Sequence, residues 1–312
     1  MMSELLVHIG LHRTGSTWFQ QTALPDEGTP IVDAWPDRAD LARKIIKPCN
    51  ADFAENVLRM ELDSRCEAVR SKGDIPVISH ERFSGNPSSG AFDMNRTAER
   101  IQRLCPDAKI LVILRDQQSQ LESIWCQAVR IGLYCSANDY LRPHHPGDFR
   151  IPHFEPSYLL HDEIVGEYAR RFGRERVLAL DFELLQKDSI AYMNMICEFV
   201  GAEPITEISR EVQYARPHPL EAAILRRGNL LHRRTSMNPG PPLESERMYA
   251  LWKKMALFLS THAPLRMRRR FQERHEQVIR EFIDANDTRI RRSNRRLRDE
   301  LKVNLTSDKW RF

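Results

Sequence analysis

No stretch of the 312-residue chain approaches the roughly 20 apolar residues that a membrane-crossing helix needs. The N-terminus carries no basic segment leading into a long apolar run and a small-residue cleavage site, so a cytoplasmic protein is expected. Cysteine is sparse. The six residues Cys49, Cys66, Cys105, Cys126, Cys135 and Cys197 include no C-x-x-C pair and no metal-ligand spacing, which argues against a disulfide framework and for free thiols in a reducing compartment. No internal repeat and no low-complexity linker interrupts the chain. A single domain over 1–312 is therefore expected, with a core over about 1–205 and a helical, basic C-terminal extension over about 215–312.

With 41% hydrophobic and 29% charged residues, the chain is composed like an ordinary globular protein that buries a core. The net charge of +4 is unevenly spread: residues 264–312 hold 15 Lys/Arg against 8 Asp/Glu. Such a basic helical segment suits an anionic membrane, an acidic polysaccharide or nucleic acid, although a solvated helix face is the plainer reading. No zinc-finger or RNA-recognition signature accompanies the charge, so nucleic acid is not expected as a partner.

Short apolar, β-branched runs at 5–9, 75–79, 109–114 and 177–182 alternate with stretches of helical period, the pattern of a parallel α/β sheet flanked by helices. The run at 110–114, Ile-Leu-Val-Ile-Leu, is apolar without alternation, as a central strand covered on both faces should be. Helices are predicted over 38–46, 53–71, 95–104, 116–131, 158–172 and 190–200, and from Leu220 onward the pattern is helical except around residues 238–242. Residues 143–156, rich in Pro, His and Gly, read as a long loop that touches substrate. Its His144, His145 and His153 match no known metal-ligand spacing, and no metal is expected.

In an open parallel sheet, ligands sit beyond the carboxyl ends of the strands, so the residues just after each strand carry the functional reading. After the first comes Gly10-Leu-His-Arg-Thr-Gly-Ser-Thr17, close to the nucleotide phosphate loop G-x-x-x-x-G-K-[ST] but with Ser16 in place of the lysine. The cation stands at Arg13 instead, which fits a phosphate-like group other than the triphosphate of ATP. Backbone N–H groups at a helix start favour an anion there, and Ser16 and Thr17 add hydroxyl donors. After the third strand, Arg115 is followed by Ser119 and Ser123, four apart on one helix face, and an arginine with a hydroxyl suits a second phosphate. After the second strand, His80 and Glu81 are candidate general bases.

The segment His8–Thr17, together with Arg115 and Ser123, resembles the sulfotransferases that use 3′-phosphoadenosine 5′-phosphosulfate (PAPS), most nearly the carbohydrate-modifying, bacterial kind. The family's 5′-phosphosulfate loop, [KR]-[ST]-G-[ST]-[ST], is matched by Arg13, Thr14, Gly15, Ser16 and Thr17. Its 3′-phosphate motif, an arginine at a strand end with a serine eight residues later, is matched by Arg115 and Ser123. Trp18 falls where the cytosolic branch stacks a tryptophan on adenine. Arg226-Arg-Gly228 is similar to an element that some members fold over the 3′-phosphate, and Ser293–Leu297 to a tail element of bacterial members. Arg13, Gln117 and Gln120 depart from a commoner lysine, proline and arginine.

The resemblance covers roughly residues 5–200 and implies a phosphate-loop-like fold, PAPS as co-substrate and no metal. Catalysis falls to Arg13 with Glu81 as first and His80 as second candidate for the base, and the acceptor is a hydroxyl on a carbohydrate or glycolipid. Peripheral membrane contact through the basic C-terminal helices is compatible with it. The alternatives are a kinase with a degenerate loop, in which Asp116 would hold magnesium, and a nucleotide-binding module without turnover.

Overall fold

A computed structural model of the protein describes residues 5–142, 154–208, 218–235, 238 and 240–312. The histidines of the 143–156 loop, His144, His145 and His153, lie outside the described residues. The chain divides into a first unit of residues 1–116, 155–214 and 288–312 and a second of 117–154 and 215–287.

In chain order the elements begin with β1 (Leu6–His8), α1 (Ser16–Trp18), β2 (Ile31–Asp33), α2 (Arg38–Leu41), α3 (Glu55–Arg70), β3 (Ile75–Ser79), α4 (Met94–Leu104) and β4 (Lys109–Leu114). There follow α5 (Gln117–Ile131), α6 (Ala137–Tyr140), α7 (His161–Phe172), β5 (Val177–Asp181), α8 (Phe182–Lys187) and α9 (Ser189–Val200). The last helices are α10 (Pro219–His232), α11 (Glu246–His262), α12 (Leu265–Ala285) and α13 (Asp287–Asp299). Helices α1 and α2 each run on into a five-residue π turn, Phe19–Ala23 and Ala42–Ile46.

All five strands are parallel, in the order β2-β3-β1-β4-β5, and belong to the first unit. The apolar run of β4 is an interior strand with Ile110 to Leu114 fully buried, while the middle place goes to β1. Strand β2 is an addition to the four strands expected. It is three residues long at the sheet edge, and only Ile31 of the three is fully buried, so it lacks the apolar run by which a strand is recognised. The chain leaves β1 for the β2 edge but leaves β3 for β4 on the opposite side. The connections therefore diverge at the β1–β3 pair, and beyond the carboxyl ends of strands at such a point open parallel sheets bind their ligands.

The helices that cover the sheet bury one stripe each. In α3, Leu58, Leu62, Cys66 and Val69 recur at spacings of three and four and are buried. Helix α9 is delimited at both ends: Asp188 accepts from the N–H groups of Ile190 and Ala191, and Gly201 adopts φ 74° after its last turn. In the second unit α5 is almost wholly buried, and Asn229 of α10 donates to the carbonyls of Val129 and Leu133 at 2.6 and 2.8 Å.

Beyond α13 the chain is not helical, contrary to the expected pattern, and a single buried carboxylate accounts for its path. Asp181, at the carboxyl end of β5, accepts at Oδ2 from the N–H groups of Thr306 (2.7 Å) and Ser307 (3.1 Å), the Thr306 hydroxyl (3.2 Å) and the Trp310 indole N–H (2.8 Å). The Ser293–Leu297 element sits in the same first-unit seam: Ser293 accepts from the Asp162 N–H and Asn294 donates to the Arg311 carbonyl. We expect Asp181→Ala to lower stability by about 3 kcal/mol or more, because several buried donors lose their acceptor together. Urea unfolding measures this, and a loss below about 1 kcal/mol would show that the tail is held by other contacts.

Candidate functional site

Because β1 and β3 are parallel neighbours with His8 opposite Ser79, their side chains share a face, and His8 Nδ1 lies 2.7 Å from Ser79 Oγ. Burial, with Arg38 adding to it, drives the His8 pKa down to about 3, so the ring is neutral. Two residues past β1 the backbone passes so close that a Cβ on Gly10 would lie 2.3 Å from Ser16 Oγ and 2.8 Å from the His8 ring. Only glycine fits there.

The loop then makes two left-handed residues, Arg13 at φ 69° and Gly15 at φ 98°. For Arg13 this backbone costs about 1–2 kcal/mol, a strain that surrounding contacts must hold in place. Those contacts are identifiable. Thr14 is fully buried, and its hydroxyl donates to the Leu11 carbonyl at 2.9 Å. Arg115, just past β4, donates from Nη1 to the Arg13 carbonyl at 3.2 Å. Its guanidinium carbon stands 5.1 Å from the centre of the Phe182 ring, and a Cβ on Gly15 would meet that same ring at 2.8 Å. Gly15 begins α1 with no side-chain cap among the described residues. The first-turn N–H groups of a helix have no intrahelical partner and are free for an anion.

The outer side of the loop is held by two residues that sequence reasoning did not single out. The Tyr158 hydroxyl, buried and pushed up to about 12 by that burial, accepts the His12 N–H at 3.0 Å and lies 3.2 Å from Ser84 Oγ. Ser84 is in turn within donating distance of the carbonyls of Gly10 (3.1 Å) and Glu81 (2.8 Å). Nothing in the local pattern marks either residue, since Tyr158 is far along the chain and becomes a neighbour only through the fold. Burial also lowers the His12 pKa, to about 4.

The two base candidates differ in what their lone pairs do. His80 is buried, its pKa lowered by desolvation, and its Nδ1 accepts the Arg82 N–H at 3.0 Å as a cap on the short turn Glu81–Ser84. A neutral imidazole whose Nδ1 accepts carries its proton on Nε2, so neither ring nitrogen has a spare lone pair. The Glu81 side chain keeps 38% of its surface exposed. Burial works against its charge, yet its pKa is held below the usual carboxylate range by the neighbouring histidines and by hydrogen bonds from its own backbone N–H and from Gln20. Gln20 also donates to Ser79 at 2.9 Å, so His8, Ser79, Gln20 and Glu81 form one hydrogen-bonded chain at the carboxyl ends of β1 and β3.

Of the other residues named from sequence, Thr17 is half-buried on α1 and Trp18 packs into the apolar core at 8% exposure, its ring edge-on to Tyr192 with centroids 6.2 Å apart. Ser123, buried in α5, belongs to the second unit. Arg226–Gly228 lies within α10, where Arg226 donates to the Tyr134 carbonyl at 3.4 Å. No cluster of three or more metal-ligating side chains occurs among the described residues. The first unit thus brings Arg13, Arg115, His80 and Glu81 to the carboxyl ends of adjacent strands.

Residues 91–207 match the Sulfotransferase family. No curated protein matches the chain. Among solved structures, a sulfotransferase from Alicyclobacillus acidocaldarius is similar at 20% identity over 74% of this chain and 96% of its own, with a TM-score of 0.48. The sulfotransferase domain of the Synechococcus PCC 7002 olefin synthase is similar at 13% identity over 89% and 94% of the two chains, with a TM-score of 0.33. The part of the chain that takes in β4 and β5 is thus similar to the Sulfotransferase family.

Proposed function

We propose that the protein transfers the sulfuryl group of PAPS to an acceptor hydroxyl on a carbohydrate or glycolipid. The observation that carries this reading is the hydrogen bond from the Arg115 guanidinium to the Arg13 backbone carbonyl, which ties the residue after β4 to the loop after β1 at one edge of the sheet. A ligand with two separated anions suits such a pair. Gly10 and Gly15 let the loop pack against His8, Ser16 and Phe182, and Arg13 with the α1 N–H groups would meet the 5′-phosphosulfate and the charge that builds on its bridging oxygen. Arg115 takes the 3′-phosphate.

In the transfer the acceptor oxygen forms a bond to sulfur as the bond from sulfur to the phosphate oxygen breaks in line. The acceptor proton passes to Glu81, and adenosine 3′,5′-bisphosphate leaves with the negative charge. Glu81 suits this step because it is ionised and partly open, whereas the His80 lone pair is committed to its own turn. The carbohydrate or glycolipid acceptor rests on the resemblance of the loop sequence and the candidate glutamate to the carbohydrate-modifying branch of the sulfotransferases.

Calorimetry tests the donor directly: adenosine 3′,5′-bisphosphate is expected to bind, and ATP with magnesium is not. Preference for ATP would replace this reading by a kinase. For the base, Glu81→Gln is expected to lower kcat about 10²–10⁴-fold with nucleotide affinity unchanged. His80→Asn, which keeps an acceptor for the Arg82 N–H, is expected to retain most activity. The reverse pattern would transfer the role to His80.

A further inference from the structure

Helix α11 has two apolar faces. Tyr249, Ala256 and Ser260 are buried on one, as expected for a helix that packs on α10. On the opposite side Met248, Leu251, Met255, Phe258 and Leu259 recur at spacings of three and four, and each is between 38% and 61% exposed. Two residues after α11 ends, α12 opens with exposed Leu265 and Met267 interleaved with Arg266, Arg268, Arg269 and Arg270. Arg268 and Arg269 also line, with His218, Leu265, Gln272 and Glu273, a groove of about 570 Å³. Between residues 246 and 274 there are 8 Lys/Arg and 2 Asp/Glu.

We infer that the α11–α12 corner is a docking surface for an anionic phospholipid bilayer. The two properties it combines have different uses. The arginines draw the corner to a negatively charged surface, and the apolar stripe gains only where it can leave water. An acidic polysaccharide would use the charge and leave the stripe exposed. A second copy of the chain packed on the same face would cover the stripe but set the arginines of one copy against those of the other, with Glu246 and Glu273 alone to offset them in each. A bilayer answers both, with its headgroup phosphates opposite the arginines and its acyl boundary opposite the stripe. The groove beside Arg268 and Arg269 is of a size to take a headgroup. No helix among the described residues is long and apolar enough to cross a membrane, so the contact is peripheral.

Flotation of the full chain with vesicles reads this without turnover, so it stands or falls apart from the assignment of the reaction. Vesicles of phosphatidylcholine with phosphatidylglycerol are expected to bind the protein, with affinity falling as salt rises, and pure phosphatidylcholine vesicles are not. Replacing Arg266, Arg268, Arg269 and Arg270 together by glutamine should weaken binding by a hundredfold or more, at about fivefold for each charge. Leu251→Gln should weaken it about tenfold while leaving the melting temperature unchanged, because the side chain is already 61% exposed. In Phe258→Trp, the emission of the new indole should shift to the blue when anionic vesicles are added. Equal binding to neutral and anionic vesicles, or no binding, would overturn the inference. So would vesicle binding that Leu251→Gln leaves intact, which would mark a polyanion site. Sedimentation showing a lipid-free dimer broken by Leu251→Gln would assign the face to a second copy instead.

Discussion

Arg13→Ala is expected to lower kcat/KM for sulfuryl transfer by about 10²–10³-fold, the equivalent of roughly 2.7–4 kcal/mol of transition-state stabilisation. The size of the effect follows from position rather than from charge alone. Arg13 sits in a loop whose backbone is fixed at both ends, by Thr14 on the Leu11 carbonyl and by Arg115 on the Arg13 carbonyl itself. On the proposed reaction, fixing the backbone that carries the cation reduces the reorganisation needed as charge develops on the leaving oxygen. Because Arg13 also bears a left-handed backbone at φ 69°, Arg13→Gly separates the two consequences of the residue. It should be as inactive as the alanine variant but more stable than it by about 1 kcal/mol, since glycine meets no penalty in that region. Retention of more than about a tenth of wild-type activity in both variants would remove Arg13 from the chemistry.

The second large effect concerns acid. His8 and His161 are fully buried, and burial lowers their pKa values to about 3 and 4. An unfolded chain returns both to about 6.5, so below that pH the unfolded state binds protons that the folded state refuses. Stability is therefore full above pH 6.5 and is lost as pH falls toward 4. At pH 5 each of the two histidines removes about 2 kcal/mol, or about 4 kcal/mol together. His12, lowered to about 4, acts in the same direction. Urea midpoints measured between pH 8 and pH 5 should fall accordingly, and His8→Phe should flatten part of that slope. A midpoint constant over this range would mean that water reaches the rings. His8 Nε2 has no hydrogen-bond partner among the described residues, which makes a charged His8 especially costly.

Much of the architecture was legible before the structure because its signals are local. Apolar runs marked β1, β3, β4 and β5, and helical periodicity marked α3, α4, α5, α7 and α9. Two features escaped for a physical reason each. Strand β2 is too short and too open to carry a period, and the tail after α13 takes its path from a carboxylate more than a hundred residues earlier in the chain. The candidate site shows the same division. Arg13, Arg115, His80 and Glu81 could be named because residues that follow strands must emerge at one edge of a parallel sheet. Tyr158, Ser84, Gln20 and Phe182 could not, because each acts through a contact at long sequence separation.

By itself, then, the sequence determined the class of sheet, the order in which the strand-end residues appear and the displaced cation of the Gly10–Thr17 loop. These depend on residue type and spacing along the chain. Only the tertiary structure decided which strands are neighbours, that Arg115 holds the Arg13 carbonyl and that the Nδ1 lone pair of His80 is already committed. Those facts rest on hydrogen bonds whose partners meet in space after the chain has closed, and no periodicity in the sequence records them.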